Sequence, residues 1–514
     1  MKNILIILFS LLATAVFSQV YQTHRYELEK KNNDDFFTVL PVGDLGVIIY
    51  RDTDKYKKGN VLHMVSLDTT LTERWSTELS IDTKLEFKGF DITRSKMYLL
   101  FRDGQYEKND YHLMAISVLD GEVTRYDIKN EIALELSHMA VLEDGLILAG
   151  YVNLSPTLVS YKFGEQSFEV VQGFFKDRSN VVDLRDNGNS TFNVITLEKD
   201  YVGSLVRLRT YSYDGELLFE REVKMDERYH ILSAKSSGFI DGNIIVAGTY
   251  GMSKSYYSSG LYIAVVKPAG QDNIVKFHNF FALEHFFDYM KPKRAARIKA
   301  KMKRKSEKGK DVHYSSRLLL HEVRKSKDGY LLAAEIFDPD YITHSRPGID
   351  NGFASQEEIE RRNRAAQRYS KQPSKIHNVD DASSFEYLES IVVGLNKSGD
   401  VIWDNSLKIK EVETYALDQI VQVAEHDRQL SMLYRAEETI NFKTVQQSET
   451  IEEGEEPLKL KNEGEKIVHT YRGAGRSEYW YDNNFIVWGY HKIDSEVETL
   501  DRRNVLYINK VVFK

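Results

Sequence analysis

Residues 291–310 hold eleven Lys or Arg against a single acid, Glu307, a net charge of +10 in a 514-residue chain whose total is −8. If this segment is helical, Ala295, Ile298 and Met302 form a thin apolar stripe. Lys293, Arg294, Arg297, Lys301 and Arg304 are then among the cations that cover the other faces. Such a helix suits anionic lipid, lipopolysaccharide or an acidic partner. The alternative is a solvated lid neutralised by the rest of the chain, for which Glu449, Glu452, Glu453, Glu455 and Glu456 are an available counter-charge. Just upstream, Phe280, Leu283, Phe287 and Met290 stand at helical spacing, and Pro292 can open a second helix at its first position. Phe286 and Phe287 belong to that apolar element, which either docks the pair of helices or meets a partner.

Other chemistries find less support. Asp52-Thr-Asp54 and Asp338-Pro-Asp340 are paired acids where cation ligands could sit, but such acids more often end strands and make turns. Asp186-Asn-Gly-Asn189 reads as a hairpin turn. There is no His-Glu-x-x-His, no full Asp-x-Asp-x-Asp-Gly loop and no Gly-x-Ser-x-Gly elbow, so no metal, cofactor or catalytic set is expected. The fourteen His are scattered, and His285 and His321 lie beside apolar or basic runs where a packed or exposed ring is the plainer reading. Carboxylates gathered from distant repeats could still meet, because sequence spacing does not reveal such geometry. The acidic balance argues against a nucleic-acid binder.

The N-terminus carries an address. Lys2 is followed by a 14-residue largely apolar run, Ile4–Phe17, with small residues before Gln19, which reads as a signal peptide cleaved after Ser18. Export to the periplasm or beyond the cell follows, with a mature charge of −9, or −19 outside residues 291–310. No other apolar run approaches a membrane span. The absence of Cys removes disulfides, thiolate sites and lipoprotein anchoring, so the exported chain must rest on a sizeable core.

What must position these residues is a repeat. Asp144-Gly-Leu-Ile-Leu-Ala-Gly-Tyr151 returns as Asp241-Gly-Asn-Ile-Ile-Val-Ala-Gly-Thr-Tyr250. Looser copies begin at Gly46, Lys96, Thr191, Tyr330, Leu430 and Phe485, with five of the seven spacings near 50 residues. Each aliphatic run reads as an inner strand, with Ala149-Gly150 and Ala247-Gly248 letting neighbouring sheets approach. Hairpins follow at Asp120-Gly121, Asp214-Gly215 and Ser398-Gly399, and a further strand precedes each run, as in Leu134–Val141. Four strands per period is the signature of a propeller blade. The last copy lacks an outer strand, and Val20–Glu29 is a strand without a blade, so pairing the two would close a ring.

The copies at Gly145 and Asn243, with Gly-Asp-Val-Ile-Trp at 399–403, resemble repeats of bacterial extracytoplasmic β-propellers, most broadly the quinoprotein-like and WD40-like superfamily. Blades there often end in Gly followed by Trp, matched here by Trp75 and Trp403, with Phe219 as a stand-in. The vicinal cysteine pair of the quinoprotein enzymes is missing, so the resemblance implies the fold and not the cofactor.

The expectation is an all-β chain: residues 19–514 as one β-propeller domain of eight four-stranded blades, with seven as the alternative. Helical insertions are expected at about 280–312 and 340–384, the second opened by the capping box Ser355-Gln-Glu-Glu358. Gln446–Gly464 reads as irregular. The leading function is a non-catalytic binding or scaffold module, expected to be monomeric, with an unidentified protein or anionic envelope component as partner. The alternatives are an enzyme acting on a carbohydrate or similar ligand at the axial mouth, and an envelope-surface binder using residues 291–310.

Overall fold

A computed structural model describes residues 20–30, 37–52, 60–173, 179–199, 204–252, 255–268, 273–310, 312–341, 382, 384–495 and 502–514. The expected signal peptide, Asp54 and the capping box at Ser355 lie outside these residues. Eight antiparallel sheets follow one another along the chain, each with a path of four strands. Blade 2, for example, runs Leu85–Ile92, Lys96–Asp103, Tyr111–Ser117, Val123–Ile128, paired in that order. Eight blades, not seven, make the ring.

The eighth blade is assembled from both chain ends. Val20–Glu29 pairs antiparallel with Arg503–Phe513, from Val20 opposite Phe513 to Glu29 opposite Val505, and supplies the missing outer strand. Buried charges reinforce the seam. Arg25 pairs with Glu27 at 2.7 Å, and Arg503 reaches Glu27 at 2.8 Å and Glu465 at 2.6 Å.

Hydrophobic burial is distributed rather than central. Among the described residues, eight apolar clusters each sit at one junction between neighbouring blades. One face of blade 3 packs Leu146 and Leu148 toward blade 2, and the other packs Ile147 and Ala149 toward blade 4. A strand buried on both faces needs an unbroken aliphatic run, which is why these runs dominate the sequence. Tyrosines stitch the junctions: Tyr151 Oη accepts from Val181 N (3.1 Å), Tyr111 Oη donates to Leu134 O (3.0 Å), and Tyr387 Oη bonds both N and O of Asp418. A buried ring that ends in a satisfied hydroxyl gives these three junctions both packing and register.

Three local expectations are revised. The aliphatic runs are the second strands of their blades, and the strand before each run is the one at the axis. Gly150 and Gly248 make room inside their own sheets: a Cβ on Gly150 would lie 2.1 Å from Glu135 O, and one on Gly248 1.9 Å from Ser233 O. Gln446–Gly464 is largely ordered pairing, with Glu449–Pro457 as the outer strand of blade 7. A row of glutamates suits an exposed sheet edge, where charge discourages further strand addition.

The insertion after blade 5 holds one helix, α1 (Pro292–Ser306). The expected helix over 280–290 is instead a short 3-10 turn, Phe280–Ala282, followed by turns. Asp404 of blade 6 accepts from the amides of both Glu284 (2.9 Å) and His285 (2.8 Å), which anchors this segment from outside rather than leaving it to build its own helix.

Candidate functional site

The inner strands are irregular for a reason. Those of blades 2 to 6 each carry a shift in pairing register: Phe87/Gly89, Leu136/His138, Val181/Asp183, Ser236/Phe239 and Leu320/Val323. A bulge breaks the alternation of side chains and turns polar residues toward the axis. Together the eight inner strands wall an axial cavity of about 1810 Å³. On the blade 2 side it is bounded by consecutive residues from Leu85 to Lys96, the whole length of an inner strand and its turn.

The wall mixes polar and apolar surface in similar parts, and most of its charges are held by neighbours. Arg476 pairs with Asp418 (3.0 Å) and Glu478 (2.6 Å), Lys88 with Glu86 (3.0 Å), and Arg185 with Glu322. Asp91 accepts from Val141 N at 2.8 Å, and Asp183 accepts from Ser236 N (2.8 Å) and Oγ (2.7 Å), so each carboxylate ties its blade to the next. Behind the wall, buried Glu335 receives His321 at 3.0 Å and the amides of Ile420 and Val421 from blade 7.

One sector stands apart electrostatically. His138, Asp183 and Lys235 come from the inner strands of blades 3, 4 and 5 and face the same cavity. Enclosure by the ring raises the Asp183 carboxyl and lowers the Lys235 ammonium, although each partly offsets the other's shift. Enclosure, with the nearby Lys235 charge, pushes His138 down to about 4. Burial also opposes the charge on Glu322, yet Arg185 and Arg324 hold its carboxyl below the usual range. Displaced proton affinities clustered in a cleft mark candidate functional groups.

The residues singled out from the sequence fall elsewhere. Lys293, Arg294, Arg297, Lys301 and Arg304 are exposed on α1, away from the axis. Phe286 and Phe287 are fully buried against Phe280 and Tyr314, inside the packing that fixes the insertion to blades 5 and 6. His285 meets Asp288 at 2.8 Å, and that bond raises its proton affinity. Asp338 and Asp340 continue a strand of blade 6 opposite Glu386 and Ser384. Asp186–Asn189 forms the hairpin expected, with Gly188 at positive φ. Among the described residues, no group of three or more His, Asp or Glu is placed to hold a metal ion.

Eight four-stranded sheets closed around a lined axis define a β-propeller. No family model matches the chain, and no curated protein matches it. Among solved structures, the polysaccharide lyase Uly1 is similar over 83% of this chain and 90% of its own, at 8% identity and a TM-score of 0.40. The β-propeller domain of the Trilobed protease from Pyrococcus furiosus is similar over 82% and 93%, at 8% identity and a TM-score of 0.35. A prolyl endopeptidase is similar over 88% of this chain and 53% of its own, at 9% identity and a TM-score of 0.39. None of these likenesses bears on function, and the fold rests on the chain's own sheet order.

Proposed function

We propose that the protein is an exported, non-catalytic binding module and that its axial cavity takes a polar, hydroxyl-rich ligand of oligosaccharide size. The observation that carries this reading is the wall itself: inner strands of all eight blades converge on one cavity, with ion pairs already formed and oriented. Preset donors and acceptors bind a neutral polar ligand without first paying to desolvate a lone charge. At about 1810 Å³ the cavity exceeds the usual small-molecule range of roughly 300–1,000 Å³. Export rests on Lys2 and the apolar run Ile4–Phe17, and N-terminal sequencing of the secreted protein should begin at Gln19.

A second reading, turnover of the same ligand, is favoured by the displaced proton affinities of His138, Asp183 and Lys235. Calorimetric titration with neutral oligosaccharides, followed by chromatography of the recovered ligand, tests both. Saturable binding that is lost in Lys235→Met and Asp183→Asn, with the ligand recovered intact, supports the binding module. Cleaved ligand supports turnover. Binding unchanged in both variants removes the cavity from either reading.

A further inference from the structure

The outward face of α1 is a single-sign surface. At 3.6 residues per turn, Lys293, Arg297 and Arg304 face away from, and Arg294 and Lys301 flank, the stripe of Ala295, Ile298 and Met302. The latter three are spent on the propeller: Met302 is buried, and Ala295 and Ile298 pack against the blade 5/6 cluster. The helix is held at its base by Phe286 and Phe287, and Lys299 Nζ donates to Glu284 O at 2.6 Å. The helix contains no acid, and these five cations make no ion pair among the described residues. The outcome is a fixed row of cations about 16 Å long from Lys293 to Arg304.

What such a row fits follows from what it lacks. Its apolar stripe is already used, so it has no face to sink into a bilayer as an amphipathic helix does. With the chain at −8 and residues 291–310 at +10, the remainder carries −18, and a broad anionic surface would be repelled by it within a Debye length of about 8–10 Å. The row presents no aromatic ring for base stacking and no apolar anchor of the kind that dominates protein interfaces. A thin strand bearing regularly spaced anions touches the row and little else.

We infer that the outward face of α1 is a docking site for a linear acidic polysaccharide, bound through its carboxylate or sulfate groups. The site is separate from the axial cavity and independent of what the cavity takes.

The test measures binding of the full chain to polygalacturonate and dextran sulfate, with neutral dextran, phosphatidylglycerol vesicles and single-stranded oligothymidylate as comparators. Expected are saturable, salt-sensitive binding to the two acidic glycans and at least a tenfold loss on replacing Lys293, Arg294, Arg297, Lys301 and Arg304 by Ser. An unchanged melting curve shows that the variant folds, and Arg297→Glu with Lys301→Glu provides a second, smaller perturbation. Lys235→Met should bind the glycans like the native chain, which separates this site from the cavity. Glycan binding that survives both sets of helix substitutions overturns the inference. So does stronger binding to vesicles or oligothymidylate than to the glycans, or no glycan binding at low salt.

Discussion

Glu27, in the first strand of the ring, and Arg503, in the last, form an ion pair of 2.8 Å whose carboxylate is 5% exposed. Arg503 also holds Glu465, which is fully buried at its side chain. Removing one partner of a buried pair leaves the other charge without compensation, at a cost of about 3–5 kcal/mol. Arg503→Met should therefore lower stability by about that amount in chemical denaturation. Adding Glu27→Gln and Glu465→Gln to the same chain should recover part of the loss.

Deleting residues 19–30 should do more. It strips the outer strand from blade 8 and uncovers the edge of Arg503–Phe513 along its length. The expected results are a markedly lower melting temperature and concentration-dependent association, since an unpaired edge invites another strand. An unchanged melting curve would count against closure as a source of stability.

Two histidines contribute to the acid side of stability. Burial, with the nearby cations Arg25 and Arg435, pushes His491 down to about 2, and His138 is pushed to about 4. Each is neutral in the folded chain near pH 7, and the unfolded chain takes up protons first, around pH 6.5. Stability therefore falls as pH drops below about 6.5; both residues contribute down to about pH 4, and His491 alone continues toward pH 2. His491→Phe, which can pack on Tyr507 in place of the imidazole, should flatten the acid limb of a stability-versus-pH curve. A limb as steep as that of the native chain would contradict the assignment.

Gly248 is the more demanding of two glycines. Its added Cβ meets a backbone oxygen at 1.9 Å and the Tyr262 ring at 2.4 Å, so Gly248→Ala should cost about 3 kcal/mol or more, at the upper end of overpacking. Gly188 has open space around it but sits at φ +69°, and Gly188→Ala should cost only about 1 kcal/mol of backbone strain. Denaturant midpoints of the two variants give the comparison.

Glu335 anchors blade 7 to blade 6 through the amides of Ile420 and Val421. Glu335→Gln keeps the shape but weakens charge-assisted bonds, with an expected loss of about 1.5–3 kcal/mol by denaturation.

The ring was legible because its second strands are doubly buried. Runs such as Leu146–Ala149 cannot be mistaken for loops, and all eight runs found in the sequence are second strands. The pairing of Val20–Glu29 with the C-terminal strand was legible too, from one strand too many at one end and one too few at the other. The axial wall was not. Glu135-Leu-Ser-His138 and Asp183-Leu-Arg185 have neither an apolar run nor clean alternation, because bulges interrupt their period. His138, Asp183 and Lys235 are far apart in the chain, and only the ring brings them to one cavity. The helical reading of Phe280–Met290 failed differently: the spacing was right, but Asp404 takes two of the amides.

The seam between Val20–Glu29 and Arg503–Phe513 also dictates an order of events. Of the ring's described strands, the one made first belongs beside the one made last, so it waits without a partner while seven and a half blades are made. Blades 1 to 7 can form in sequence from local hairpins, but the eighth must join segments from opposite chain ends. Loop closure over that separation is slow relative to hairpin formation. The waiting strand is therefore the segment whose edge stays open longest while the ring forms.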